Sequence, residues 1–182
     1  MCHAVLQNPE FFLLLLRIDE ELAGEARAAG CHCGGVLHSA CYPRKPRGCP
    51  SQVREHYCRR FSFCCASCDR RTTPRSVRFL GRRVYVAVML MLVSPPSGVA
   101  ASTVCEALSV PAPTLARWRS WWGRDFPSSS FWQSVRERFS TQVSVARLPQ
   151  SLLESFQDAI PIQRLVQLLR FISPLSTRAV SN

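Results

Sequence analysis

The chain has 182 residues, of which 23 are basic and 12 acidic (formal net charge +11), with 47% hydrophobic residues, 19% charged residues and ten cysteines. This is the composition of one or two small globular domains with a buried core. No stretch approaches the ~20 apolar residues of a membrane-spanning helix, and the first residues lack the basic region of a signal peptide. The expected setting is therefore the reducing cytoplasm, where thiols bind metal or pack rather than pair as disulfides.

Asn8-Pro9-Glu10 reads as a helix start, with Asn8 as the N-cap, Pro9 in the first helical position and Glu10 in the first turn. Apolar residues at Leu15, Ile18, Leu22, Ala26 and Ala29 recur at helical spacing, and Gly30 is placed to stop the helix. Residues 1–30 are thus an N-terminal helical segment. Its Phe11-Phe12-Leu13-Leu14 run is wide enough to serve as a homodimer contact.

Residues 31–80 read as a zinc ribbon. Eight of the ten cysteines fall between Cys31 and Cys68, a concentration that core packing alone does not produce. Cys31-His32-Cys33-Gly34-Gly35 and Cys64-Cys65-Ala66-Ser67-Cys68 face each other across strand-like sequence, as two knuckles closing one tetrahedral Zn2+ site would. The expected ligands are Cys31, Cys33, Cys65 and Cys68, with Cys64 or His32 as substitutes for one of them. Residues 36–38, 57–63 and 76–80 are the strand candidates, and Asp69 to Thr73 forms a turn and exit strand. Tyr42-Pro43-Arg44-Lys45-Pro46-Arg47-Gly48 reads as an irregular basic loop, because its prolines remove donors. Cys41, Cys49 and Cys58 read as strand or loop thiols, with a second zinc as the alternative. His38 and His56 read as surface or hydrogen-bonded residues rather than ligands.

The same stretch carries the charge. Twelve basic residues from Arg44 to Arg83 stand against Glu55 and Asp69, a net of +10 out of +11, and Lys45 is the single lysine. Guanidinium groups suit bidentate phosphate contacts, so a block of this density points to a polyanion, with nucleic acid the first candidate. Arg44, Lys45, Arg47, Arg70 and Arg71 are the ribbon's expected contacts.

Residues 81–125 read as a tri-helical helix-turn-helix unit: a buried apolar helix from about residue 84 to 93, a short helix at 100–108, and an Arg-bearing helix at 113–122. Leu115, Trp118 and Trp122 are spaced to face inward. Thr114, Arg117, Ser120 and Arg124 then fall outside, so Thr114, Arg117, Arg119 and Arg124 are the expected nucleic-acid contacts of this part. Residues 126–173 read as packed helices, and 174–182 as a disordered tail. The expected fold is α+β, mainly α: a small three-stranded zinc ribbon, a tri-helical helix-turn-helix domain and C-terminal helices.

These residues resemble a known group. Cys33-Gly34-Gly35-Val36-Leu37-His38, the 42–48 loop, Phe61-Ser62-Phe63-Cys64-Cys65 and the run from Arg70 to Arg82 look like the zinc-ribbon proteins associated with bacterial insertion sequences and their transposases. Thr114-Leu115-Ala116-Arg117-Trp118-Arg119-Ser120-Trp121-Trp122 is similar to their helix-turn-helix part. The resemblance implies duplex DNA binding in a mobile-element setting, nucleoid-associated, as an accessory or degenerate subunit beside a catalytic transposase. A transcription regulator and an RNA-binding ribbon are the alternatives. Strand transfer needs clustered carboxylates holding divalent metal, whereas the acidic residues here are scattered. His56 and Cys58 do not make a nucleophile pair on the expected strand, so the chain reads as a binding protein rather than an enzyme.

Overall fold

A computed structural model describes residues 8–46, 48–80, 110–139 and 143–177, together with residues 5, 84, 85 and 106. Helix α1 (Pro9–Ala28) starts as its sequence dictates: Asn8 is extended, and its side chain accepts the Glu10 backbone N–H at 3.0 Å. At the other end Gly30 has φ +73°, the left-handed conformation that turns the chain out of a helix most cheaply without a Cβ. One face of α1, carrying Phe11, Phe12, Leu15, Ile18 and Ala23, is buried.

The ribbon is a three-stranded antiparallel sheet of order β1 (Leu37–Ser39), β4 (Phe63–Cys65), β5 (Arg71–Thr72). Leu37 pairs with Cys65 and Ser39 with Phe63, and on the other edge Cys64 pairs with Arg71. The third strand is thus Arg71–Thr72 rather than the expected 76–80. Residues 65–70 reverse so tightly, with the Cys65 N–H on the Arg70 carbonyl at 3.0 Å, that the chain returns along β4 at once. Phe79–Leu80 (β6) pairs instead with Val84–Tyr85 (β7) in a separate hairpin. The helix expected from residue 84 therefore does not start there, and its remainder at 86–93 lies outside the described residues, as does the 100–108 helix apart from residue 106.

Two other strand expectations change. Ser51–Tyr57 is a 3-10 helix that buries Val53 and Tyr57, so the anticipated 57–63 strand shortens to β3 (Arg59–Arg60). β3 pairs with β2 (Tyr42–Pro43), which takes the first two residues of the basic loop into a strand. Proline is acceptable there because β2 lies in a two-stranded pair, where one side needs no donor.

The largest core runs through segments far apart in sequence. Phe11, Phe12, Leu15 and Ile18 of α1 join Val53, Tyr57, Val77 and Phe79 with residues of the C-terminal helices. Those helices are α2 (Ala112–Ser120), extended by a π-helical turn at Trp121–Asp125, α3 (Ser130–Val135), α4 (Gln150–Glu154) and α5 (Pro161–Ile172). Leu115, Trp118 and Trp122 face inward as their spacing predicts, and Trp122 packs tilted against Phe126 at 4.7 Å between ring centroids. Ser129 caps α3 by accepting the Trp132 N–H at 3.2 Å. A second, much smaller core under the ribbon holds Ala23, Cys31, Leu37, Phe63 and Cys65.

One buried ion pair fastens these parts together. Asp19 of α1 accepts Arg78 Nε at 2.8 Å, the Ser76 hydroxyl at 2.6 Å and the Val77 N–H at 2.7 Å, with Asp19 and Arg78 only 2% and 1% exposed. So many hydrogen bonds offset the desolvation that makes a lone buried charge untenable. The expected tail is also ordered at its start: Ser173–Ser176 forms a 3-10 turn, Ser176 is buried, and its hydroxyl accepts the Ser76 N–H at 2.8 Å. The Ser176 carbonyl accepts Arg60 as well. Residues 178–182 lie outside the described part.

Candidate metal centre and basic surface

The two knuckles meet where the sequence places them. Ligand atoms of Cys31, Cys33, Cys65 and Cys68 all lie within 4.8 Å of one another, the one such group of His, Cys, Asp or Glu among the described residues. Cys33 Sγ is 3.5 Å from Cys31 Sγ, 3.5 Å from Cys65 Sγ and 3.4 Å from Cys68 Sγ, and Cys31 Sγ is 3.6 Å from Cys68 Sγ. Metal–sulfur bonds of about 2.3 Å in a tetrahedron set sulfur–sulfur separations of about 3.8 Å. These four separations fall within about 0.4 Å of that value, so the donor set suits one tetrahedrally held ion.

The backbone explains how a Cys-x-Cys spacing reaches the same point as Cys-x-x-Cys. Gly34 adopts φ +79°, and its N–H donates to the Cys31 carbonyl at 2.8 Å, folding the first knuckle back on itself. Gly35 lets the knuckles touch: a Cβ on it would lie 2.6 Å from Cys65 Sγ and 2.5 Å from Ser67 Oγ. The second knuckle closes through the Asp69 N–H on the Cys65 carbonyl at 3.1 Å, with Asp69 itself at φ 54°.

Electrostatics in the cluster favour a cation. Backbone N–H groups of Ser67 and Cys68 aimed at the Cys65 sulfur pull its thiol down to about 6. Cys68 moves the opposite way, to about 12: the Arg70 backbone N–H lowers it, but hydrogen bonds with Cys33, Cys31 and Cys65 outweigh that. Sulfurs in mutual contact cannot all ionise unless a positive ion neutralises them.

Neither substitute ligand joins the group. Cys64 alternates to the other side of β4 and places its sulfur 3.4 Å from the Asp69 carbonyl. One ring nitrogen of His32 lies 3.5 Å from Cys31 Sγ, and the other engages Arg70. The remaining described thiols are dispersed: Cys41 beside Ser39, Cys58 on the Arg54 carbonyl, and Cys49 in the large core, where burial pushes its thiol up to about 11.

Around the centre lies the basic surface. Lys45, Arg70 and Arg71 are exposed and Arg44 is half-buried, while Arg47 lies outside the described residues. Two arginines of the block are not surface charges at all. Arg78 is spent on Asp19, and Arg60 is buried with hydrogen bonds to the Pro74 and Ser176 carbonyls. In α2 and the following π-helical turn Arg117 and Arg124 are exposed and Arg119 half-buried. Thr114 departs from expectation: it is buried, and its hydroxyl accepts Arg117 at 3.2 Å, because it packs on the same inward face as Leu115. Its expected outer position is thereby corrected, and what it contributes is the orientation of Arg117.

Sequence reading overlooked three participants. Gly35 and Asp19 carried no signal beyond a Gly-Gly pair and the first acid of the Asp19-Glu20-Glu21 run. Tyr42, read as part of a loop, has the Arg71 and Arg44 guanidinium carbons 4.4 and 5.4 Å from its ring centroid. No helix among the described residues is long and apolar enough to cross a membrane. No protein-family model, curated protein or solved structure matches the chain.

Proposed function

We propose that this chain is a zinc-stabilised DNA-binding protein in which Cys31, Cys33, Cys65 and Cys68 hold one Zn2+ and the arginines around the ribbon contact the duplex backbone. The observation that carries this reading is the four-cysteine cluster set in a surface whose exposed guanidinium groups are largely without acidic partners. The described ion pairs are Arg78–Asp19, Arg147–Glu154 and Arg170–Glu21, and none of them includes an exposed ribbon arginine. Four thiolates suit zinc, which takes tetrahedral sulfur coordination without redox chemistry. The ion's part is structural, closing a ribbon whose own core is five side chains.

In the second element, α2 presents Arg117, held by Thr114, to read base edges, with Arg119 and Arg124 beside it. The mobile-element setting, with a catalytic transposase as partner, rests on the motif resemblance. The experiment is retention on duplex DNA across a salt series, with single-stranded RNA as competitor. A steep loss of affinity with salt and preference for the duplex support the reading. A flat salt response, or preference for the RNA, rejects it.

A further inference from the structure

The basic surface holds one arrangement more specific than scattered charge. Tyr42 of β2 carries two guanidinium groups against its ring, Arg71 from β5 and Arg44 from its own loop. Arg71 donates to the Ala40 carbonyl and Arg44 to the Pro43 carbonyl, both at 2.9 Å, so each arm is fixed by one backbone contact. Neither has a carboxylate in the described ion pairs, and Arg44 Nε is shut away from solvent with no hydrogen-bond partner. Like charges on one ring repel each other, while the ring's negative face attracts both. A guanidinium offers five N–H donors in a planar fork, and each arm spends one on a carbonyl in the contacts above.

The clasp bridges two separately paired pieces of backbone. Tyr42 belongs to the β2–β3 pair, whereas Arg71 lies in the ribbon sheet opposite Cys64 and just beyond the knuckle of Cys65 and Cys68. Closing the metal centre therefore sets where the Arg71 arm stands relative to the ring.

We infer that Tyr42, Arg44 and Arg71 form a clasp for one phosphodiester group of the nucleic-acid backbone, its two forks preset by stacking on a single ring. The inference rests on the DNA-binding reading above and deepens it, assigning Tyr42 as the positioning residue and separating a shaped phosphate site from diffuse attraction. Diffuse attraction depends only on the number of charges. A clasp also depends on the ring and on the planar fork, which lysine lacks.

The test uses the full-length, zinc-loaded protein and a random-sequence duplex, comparing wild type with Tyr42→Leu, Tyr42→Phe, Arg71→Lys and Arg71→Ala. Zinc content and melting temperature serve as fold checks. Tyr42→Leu, which changes no charge, weakens binding about five- to tenfold, and Tyr42→Phe leaves it unchanged. Arg71→Lys falls close to Arg71→Ala. Should the leucine variant lose zinc as well, the Arg71→Lys comparison decides alone, since that side chain is exposed. Wild-type affinity in both Tyr42→Leu and Arg71→Lys overturns the clasp while leaving the DNA-binding reading intact. A wild-type protein with no salt-dependent duplex binding overturns both.

Discussion

Replacing Gly35 with alanine probes the metal centre without touching a ligand. The added Cβ would sit 2.6 Å from Cys65 Sγ and 2.5 and 2.8 Å from Ser67 Oγ and Cβ. Ordinary contact requires about 1 Å more, and a metal site tolerates ligand displacements of about 0.2 Å. Cys65 is nearly inaccessible and paired opposite Leu37, so it has no room to retreat. Overpacking of this kind costs about 1–3 kcal/mol, and displacing a ligand through its supporting residue lowers metal affinity about 10- to 100-fold. The assay is competition for zinc against a chromophoric chelator, followed by thermal melting with and without the ion. Gly34→Ala is the matched control. Nothing lies within 4 Å of its Cβ, but φ +79° strains the backbone by about 1–2 kcal/mol. It should therefore lower the melting temperature with a smaller effect on zinc affinity. Unchanged zinc affinity in Gly35→Ala would show that the knuckles do not meet as described.

Removing Asp19 strands the buried Arg78, so Asp19→Ala should destabilise the fold by about 3–5 kcal/mol in urea denaturation. Gly24→Ala should raise stability by about 0.5–1 kcal/mol, since Gly24 lies inside α1 with open space around it. Alkylation at neutral pH, mapped by mass spectrometry, should modify the exposed Cys33 only after the metal is stripped. Cys49, buried and pushed up to about 11, should stay unmodified in both states. Arg117→Ala should weaken binding to a preferred site by about 1–3 kcal/mol and to random DNA little, measured by competition titration.

The four-cysteine cluster was legible because its signal is chemical and local. Paired thiols at short spacing beside Gly34-Gly35 have few other uses, and the four expected ligands are the four that meet. Helix α1 was legible for the same reason, its cap, first-turn proline and terminal glycine being encoded within a few residues. Strand placement was not. Whether residues 76–80 or 71–72 complete the sheet depends on how tightly the second knuckle turns, and that follows from the Cys65–Arg70 hydrogen bond rather than from periodicity. Composition does not distinguish an arginine on a surface from one matched to a distant acid, so the block counts the buried Arg60 and Arg78 among its charges. Arg78 and Asp19 are 59 positions apart, and Arg60 meets Ser176 near the other end of the chain. The same long-range contact explains why a polar, proline-containing tail holds an ordered turn at its start.

The coupling of the cysteine centre to the basic surface is tested most directly by titrating one protein preparation against duplex DNA in three states: as zinc-loaded, after chelation, and after return of one equivalent of Zn2+. The account predicts tight, salt-sensitive binding that is lost on chelation and restored by the single equivalent. Equal affinity in all three states would contradict it.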